Sequence, residues 1–305
     1  MIGVFDSGAG GLTVLKALAA RFEDQRFLYL GDHANVPYGN RETAEIVDLT
    51  RAAVEALFRA GCKLVILGCN TATAVAAREL QQVWLPASGW RAQGHNLLGI
   101  IAPTVEAATQ TPWAVTTPQY PQKHTDDVVV VFGTHRTITS GVYAEEIGKR
   151  CPRVTVVEIA CPGLAGAIEA RAPDRALDEI ICQSVGEAQR AVASRLGEGR
   201  LPDRAILGCT HFPIVEQQFR AALPAATRLL SQPQAIADSL EDYLARHPHY
   251  GRSLPGDCGS GRVRLVTTGD PATADALATV FWSDAPAFEP TSALAVDALG
   301  NVAVA

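Results

Sequence analysis

Short apolar runs recur along the chain, and glycine, proline or polar residues bound each of them. Runs of this length and composition are typical of strands that are buried on both faces of a parallel sheet. The eight runs lie at residues 2–5, 27–30, 64–67, 97–101, 128–132, 154–159, 205–207 and 263–266. Between them, apolar residues recur at helical spacing, most clearly over 42–60 and 174–196. This alternation predicts an α/β fold with mainly parallel sheets.

Two segments of the chain resemble each other. Residues 66–71 read Ile-Leu-Gly-Cys-Asn-Thr, and residues 206–211 read Ile-Leu-Gly-Cys-Thr-His. Each ends a predicted strand with a cysteine and a polar residue before a predicted helix. The similarity indicates an internal repeat. The chain has 305 residues, which is more than a single hydrophobic core normally supports. We therefore expect two domains.

Three stretches lack periodicity and are predicted to be surface loops that form insertions or flaps. They lie at residues 84–96, 110–126 and 246–262. From Ser283 onward the sequence is rich in alanine and loses its period. We therefore expect the chain from Ser283 to form a frayed or peripheral tail.

Charge and composition narrow the classes of partner. The chain carries 26 Lys and Arg against 32 Asp and Glu, a net charge of −6, which is the wrong sign for binding a phosphate backbone or an anionic membrane. We expect no nucleic-acid partner and no membrane partner. Residues 1–5 run directly into a glycine-rich turn without a basic start or an apolar leader, so a cytoplasmic location is expected.

The seven cysteines show no Cys-x-x-Cys spacing, which argues against a disulfide framework and against a structural zinc site. We expect all seven to be reduced and no metal to be bound. Most free cysteines are small core residues. A cysteine with a chemical role must therefore be identified from its position next to other reactive residues.

Polar residues follow the predicted strands, where open α/β sheets bind their ligands. Asp6 and Ser7 follow the first strand, and Asp32 follows the second. The remaining strand ends carry Cys69, Asn70, Thr71, Thr134, Cys209, Thr210 and His211. Each position also has a structural explanation: a hydroxyl residue can cap the following helix, a cysteine can fill the core, and Asp6 can accept hydrogen bonds from its own turn.

The recurrence of the Gly-Cys strand end favours chemistry over these alternatives. Inverting a stereocentre by proton transfer needs a base on one face and an acid on the other, and the two exchange roles in the reverse direction. A thiol of pKa about 8.5 becomes a thiolate at pH 7 for about 2 kcal/mol, whereas a lysine of pKa about 10.4 loses its proton for roughly 4.6 kcal/mol. Cys69 and Cys209 therefore suit a paired acid/base role.

Five motifs occur in an order that resembles the glutamate racemases, a family of the aspartate/glutamate racemase superfamily. They are residues 4–12 (Val-Phe-Asp-Ser-Gly-Ala-Gly-Gly-Leu), 36–40 (Val-Pro-Tyr-Gly-Asn), 69–72 (Cys-Asn-Thr-Ala), 133–134 (Gly-Thr) with Thr137, and 208–213 (Gly-Cys-Thr-His-Phe-Pro). The resemblance spans most of residues 2–282.

This resemblance implies two pseudo-symmetric α/β domains, 1–98 with 226–305 and 99–225, with the active site in the cleft between them. It implies racemisation of L- and D-glutamate without a cofactor, a homodimer, and D-glutamate supply for peptidoglycan. Cys209 would face the proton of L-glutamate and Cys69 that of D-glutamate, assisted by Asp6, Glu169 and His211. The implied substrate-binding residues are Asp6, Ser7, Tyr38, Gly39, Asn70, Thr71, Thr134, Thr137, Thr210 and His211.

Two residues depart from the family pattern, because His33 and Asn35 stand where a threonine and an arginine are usual.

Three other functions remain open from the sequence. A dinucleotide-binding enzyme would use Gly8-x-Gly10 and Asp32, but its third glycine is replaced by Thr13. A cysteine hydrolase would use Cys209 with His211, although residues two apart on an extended segment point to the same side only loosely. A non-catalytic binding protein could share the scaffold.

Overall fold

The structure is a computed structural model that describes residues 1–112, 114–115, 117–251 and 262–294. The chain divides into two compact units. Unit 1 comprises Met1–Ile100 and Ile236–Ala305, and unit 2 comprises Ile101–Ala235. Among the described residues, no helix is both long and apolar enough to span a membrane.

Strands and helices alternate through the described residues. The strands are β1 (Ile2–Asp6), β2 (Phe27–Gly31), β3 (Leu64–Leu67), β4 (Asn96–Gly99), β5 (Val128–Gly133), β6 (Thr155–Ala160), β7 (Arg204–Gly208), β8 (Arg228–Leu230), β9 (Val263–Thr267) and β10 (Phe288–Pro290). The α-helices are α1 (Leu12–Arg21), α2 (Thr43–Arg59), α3 (Asn70–Glu79), α4 (Leu85–Ala87), α5 (Ile101–Thr109), α6 (His135–Thr139), α7 (Val142–Arg150), α8 (Leu164–Glu169), α9 (Asp174–Leu196), α10 (Glu216–Ala222), α11 (Gln232–Arg246), α12 (Pro248–Gly251) and α13 (Pro271–Phe281).

Each unit is built on one parallel sheet. The strand order is β10-β9-β2-β1-β3-β4 in unit 1 and β6-β5-β7-β8 in unit 2, and every neighbouring pair is parallel. All residues of β1, β2, β3 and β5 are buried, which explains why these strands are continuous apolar runs without a polar alternation. The predicted α/β fold with mainly parallel sheets is confirmed.

The predicted runs correspond to eight of the ten described strands. The run at 97–101 is shifted, because β4 is Asn96–Gly99 and α5 begins at Ile101. Strands β8 and β10 escaped prediction, since each has only three residues and so shows no period.

Over residues 283–294 the prediction of a frayed tail is wrong, because β10 forms an ordered strand at the edge of the unit 1 sheet. Phe288–Pro290 pairs in parallel with Leu265–Thr267 of β9, and the Phe288 ring packs edge-on against Tyr29 with 6.1 Å between ring centroids. A buried aromatic residue therefore secures the edge of the unit 1 sheet. Residues 295–305 of the predicted tail lie outside the described residues.

Described residues at the two ends of the loop at 110–126 contact the start of β7. Arg204, the first residue of β7, donates hydrogen bonds to the Ala108 carbonyl at 3.1 Å and to Asp127 at 2.6 Å, and its guanidinium also lies 2.7 Å from His124 Nδ1. These contacts hold the ends of the loop near the amino ends of β5 and β7.

The other two loop predictions have different outcomes. The 84–96 segment contains the short helix α4 and packs Trp84 and Trp90 on Phe58. Most of 246–262 lies outside the described residues, as do Trp113 and Thr116.

A half-buried carboxyl on edge strand β6 makes unit 2 sensitive to pH. Burial raises the pKa of Glu158 to about 7, against the opposing effects of the Ala144 N–H and Arg195. An unfolded glutamate titrates near 4.3, so unit 2 loses stability as the pH rises from about 4 to 7 and does not regain it above 7.

We expect Glu158→Gln, which keeps the shape without the charge, to raise Tm by about 2–4 °C at pH 8, because solvent screening leaves about 1 kcal/mol of the penalty. At pH 4 its Tm should equal that of the wild type. Thermal melts at both pH values measure this difference, with Glu187→Gln, an exposed glutamate on α9, as the matched control. An equal gain at both pH values would contradict the assignment.

Candidate active site

Cys69 lies at the carboxyl end of the unit 1 sheet, between β3 and α3. Its Sγ accepts a hydrogen bond from the Ala72 N–H at 3.4 Å, which makes the cysteine the N-terminal cap of α3. Ser7, which follows the neighbouring strand β1, places its Oγ 3.4 Å from the same sulfur. The thiol is thus held by the start of its own helix and by the next strand of the sheet.

The surroundings of Cys69 favour the neutral thiol. The residue is 5% exposed. Burial raises its pKa to about 12 and the charge of Asp6 acts in the same direction, while hydrogen bonds from Ala72 and Ser7 oppose them. At neutral pH this thiol holds its proton and can serve as an acid.

Asp6 is packed into the glycine-rich turn after β1. One carboxylate oxygen accepts the Gly8 N–H at 2.7 Å, so the structural role considered for Asp6 is present. A Cβ at Gly11 would lie 2.7 Å from the Asp6 Cβ and 2.9 Å from the Gly68 carbonyl oxygen. Glycine is therefore required at position 11 for β1 and β3 to carry Asp6 and Cys69 side by side.

Tyr38 is buried next to this group, and its hydroxyl is already engaged. It donates to Asp32 at 2.6 Å, and the same carboxylate accepts from Asn35 Nδ2 at 2.9 Å and from Thr268 Oγ1 at 2.6 Å. Tyr38 and Gly39 lie in a 3₁₀ turn, in which the Tyr38 carbonyl accepts a hydrogen bond from the Arg41 N–H at 3.1 Å. Because its carboxylate already accepts these three side chains, Asp32 is poorly suited to the ribose contact of a dinucleotide-binding enzyme.

The two departures from the family pattern serve the same loop. Asn35 is the amide that binds Asp32. His33 Nδ1 lies 2.8 Å from Thr267 Oγ1, and its ring meets Phe288 edge-on with 5.3 Å between centroids. Both residues therefore hold the loop after β2 in place, Asn35 through Asp32 and His33 through β9 and β10.

In unit 2, Cys209 follows β7 and forms a chain of contacts with two other predicted residues. His211 Nδ1 lies 3.8 Å from the Cys209 Sγ, and His211 Nε2 lies 2.8 Å from Glu169 Oε1 at the end of α8. The expectation that residues 209 and 211 meet only loosely is therefore wrong, because the turn after β7 folds the imidazole back onto the sulfur.

The imidazole of His211 is held in its charged form. Burial lowers its pKa, but the hydrogen bonds and negative charges of Cys209 and Glu169 outweigh burial and raise it to about 10. At neutral pH an imidazolium therefore lies beside the Cys209 sulfur. The two sulfurs thus have different charged neighbours, an imidazolium at Cys209 and the carboxylate of Asp6 at Cys69.

Hydroxyl residues occupy the helix starts around both cysteines. Thr134 caps α6, since its Oγ1 accepts the Thr137 N–H at 3.5 Å and lies 3.0 Å from the Thr137 hydroxyl. Thr210 is buried beside Cys209, and the buried pair Asn70 and Thr71 forms the first turn of α3. The structural role predicted for Thr134, helix capping, is therefore present. The hydroxyls of Thr134 and Thr137 nevertheless form a pair at the carboxyl end of β5.

The predicted residues fall into two groups, each at the carboxyl end of one sheet. Unit 1 carries Asp6, Ser7, Tyr38, Gly39, Cys69, Asn70 and Thr71, and unit 2 carries Thr134, Thr137, Glu169, Cys209, Thr210 and His211. Thr268, which binds Asp32, was not among the predicted residues, although it too directly follows a strand, β9. No cluster of three or more metal-ligating side chains occurs among the described residues. Six cysteines are free thiols, and Cys258 lies outside the described residues.

Comparison with known proteins covers nearly the whole chain. No protein-family model matches it. It is 49% identical over 293 residues to the glutamate racemase of Phenylobacterium zucineum (strain HLK1), covering 95% of this chain and 99% of that protein. It is 49% identical over 292 residues to the glutamate racemase of Caulobacter sp. (strain K31), covering 94% and 99%.

Solved structures with a similar fold also include glutamate racemases. A glutamate racemase isoform of Bacillus anthracis matches with a TM-score of 0.78 at 26% identity, over 95% of this chain and 96% of that one. The glutamate racemase of Thermus thermophilus in complex with beta-chloro-D-alanine matches with a TM-score of 0.66 at 28% identity, over 95% of each chain.

Proposed function

This chain belongs to the glutamate racemase family, and from that premise we propose that it interconverts L- and D-glutamate through two thiols, Cys69 and Cys209. The observation that carries the proposal is the unequal setting of the two sulfurs. Cys209 lies beside an imidazolium, and Cys69 is buried near the Asp6 carboxylate. One sulfur is disposed to be a base while the other is an acid, as an inversion requires.

In the proposed reaction, the Cys209 thiolate removes the α-proton of L-glutamate. The C–H bond breaks, an S–H bond forms, and the electron pair moves into the α-carboxylate. The Cys69 thiol then delivers its proton to the other face of the α-carbon, which gives D-glutamate and a Cys69 thiolate. The reverse reaction uses the same two groups with their roles exchanged.

The neighbours of each thiol have distinct roles in this proposal. His211 stabilises the thiolate at Cys209, and Glu169 holds the imidazole in place. Asp6 makes a negative charge at Cys69 unfavourable, so that this sulfur is readily reprotonated after each turnover. His211 lies within hydrogen-bonding reach of Cys209, and Asp6 acts electrostatically on Cys69.

Substrate contacts are assigned to groups that suit carboxylates and an ammonium. Backbone N–H groups at helix starts and neutral hydroxyls bind anions without a lysine. We assign this role to Ser7, Asn70, Thr71, Thr134, Thr137, Thr210 and His211, with Asp6 for the amino group. Tyr38 and Gly39 would contribute backbone groups, since the Tyr38 hydroxyl is bound to Asp32.

The proposal includes the wider role that the family resemblance implies. D-glutamate would supply peptidoglycan synthesis, and the reaction would need no cofactor. The homodimer and the cytoplasmic location remain predictions of the sequence.

The fate of the α-proton tests the mechanism. In D₂O, L-glutamate should give early D-glutamate that carries deuterium at the α-carbon, because the delivered proton comes from a second thiol that has exchanged with solvent. The remaining L-glutamate should stay protiated early in the reaction. Chiral separation with mass spectrometry measures both species, without added cofactor and after exhaustive chelation. Early product that keeps its original proton would instead indicate a single base, and no racemisation at all would refute the assigned reaction.

A further inference from the structure

A buried polar network lies in unit 2 behind the strand end that carries Cys209. Gln232, the first residue of α11, donates from Nε2 to Thr104 Oγ1 at 2.8 Å and to the Tyr143 hydroxyl at 3.0 Å. All three side chains are at most 2% exposed. Buried polar groups are stable only when they are paired, so this network fixes the positions of its members closely.

Tyr143 connects the network to the cysteine. A Cβ placed on Gly208 would lie 3.3 Å from the Tyr143 Cε2 atom, so the edge of the ring packs directly on the residue that precedes Cys209. The same Cβ would also lie 3.0 Å from the Phe132 carbonyl oxygen, so Gly208 is tightly surrounded. Burial raises the pKa of the Tyr143 hydroxyl, the hydrogen bonds with Thr104 and Gln232 lower it, and the charge of Cys209 acts in the same direction as burial.

The three members come from separate parts of the chain. Thr104 lies in α5, the first helix of unit 2, whereas Gln232 lies just before Ile236, where the chain returns to unit 1. Tyr143 is in α7 between them. A single glutamine thus joins the first and last segments of unit 2 directly behind Cys209.

We propose that Tyr143, held by Gln232 and Thr104, is a positioning residue that fixes the strand end carrying Cys209, an inference that rests on the function proposed above. Loss of the network lets the ring and the strand end shift. The sulfur then moves relative to the α-proton of L-glutamate, whereas Cys69 in unit 1 keeps its place. The effect is therefore specific for one of the two thiols.

The test compares the two cysteines within one protein. Gln232→Met keeps the volume of the side chain and removes both donors. Its kcat from L- to D-glutamate should fall about tenfold, less than the ~100-fold that a 1 Å misplacement can cost, with KM within about twofold of the wild type. The rate of Cys209 alkylation by iodoacetamide, read by peptide mass spectrometry, should change by at least about fivefold, while that of Cys69 should not.

Matched variants separate positioning from loss of folding. Gln25→Met removes another buried glutamine, in unit 1, and should change neither alkylation rate. Thr104→Val should reproduce the effect of Gln232→Met, whereas Thr104→Ser, which keeps the hydroxyl, should restore the wild-type rates. The exposed thiol of Cys182 reports on the reagent itself.

The alkylation result decides the inference independently of turnover. An altered rate at Cys209 alone supports the positioning role, even if the wild type proved not to racemise glutamate, an outcome that would refute the proposed function instead. An equal change at Cys69 and Cys209, or no change at either, would overturn the inference.

Discussion

Alanine at either Cys69 or Cys209 is expected to lower racemisation in both directions by at least about 1000-fold, since general acid and base catalysis each contribute ~100–10,000-fold. Each direction needs a thiolate on one face of the α-carbon and a thiol on the other. Removal of one sulfur leaves no group of suitable pKa in its place. Circular dichroism of L- or D-glutamate during incubation measures the loss.

The two variants should differ in the exchange that they retain. Cys69→Ala keeps Cys209, so it should still exchange the α-proton of L-glutamate for deuterium in D₂O without inversion. Cys209→Ala should do so only with D-glutamate. Cys62→Ala and Cys151→Ala are the matched controls, because both thiols are buried in units 1 and 2 respectively and neither belongs to the proposed machinery. Near-normal racemisation by either single variant would disprove the two-thiol mechanism.

His211→Asn is expected to give the second-largest loss, about 100-fold in kcat/KM for L-glutamate, because the thiolate at Cys209 loses its positive partner. Glu169→Gln should cost about 10–100-fold, the value of a hydrogen bond to a charged group. His124→Asn is the matched control, since this histidine also contacts a carboxylate in unit 2, that of Asp127, but lies at the amino ends of the strands. A similar loss in His124→Asn would show that the effect is not specific for the catalytic pair.

The pH dependence follows from the charge on His211. Its pKa is raised to about 10, so the imidazolium persists from neutral pH up to about 10 and is lost above it. The wild-type kcat/KM for L-glutamate should therefore decline on the alkaline side near pH 10, and His211→Asn should lack this decline. An alkaline limb that is unchanged in the variant would assign the titration to another group.

Local pattern predicted much of the fold and of the candidate site, because buried parallel strands are continuous apolar runs and parallel sheets gather reactive residues at their carboxyl ends. Cys69, Cys209 and their neighbours could be found in this way. Partners that are distant in sequence could not. Thr268 bonds Asp32 across 236 residues and Gln232 bonds Thr104 across 128, and no local period records such pairings. The contact between Cys209 and His211 escapes the sequence for another reason. An extended backbone would direct the two side chains apart, whereas the backbone after β7 forms a turn.

The divided sequence of unit 1 sets an order of events during synthesis. Unit 2 is one continuous stretch, Ile101–Ala235, whereas unit 1 lacks β9 and β10 until the last part of the chain emerges. Strand β2 pairs with β9 along its whole length, so until Val263–Thr267 leaves the ribosome, β2 is an open apolar edge of a four-stranded sheet. Such edges template association between nascent chains. Unit 2 can thus complete its fold first, whereas the unit 1 sheet keeps an open edge at β2 until β9 pairs with it.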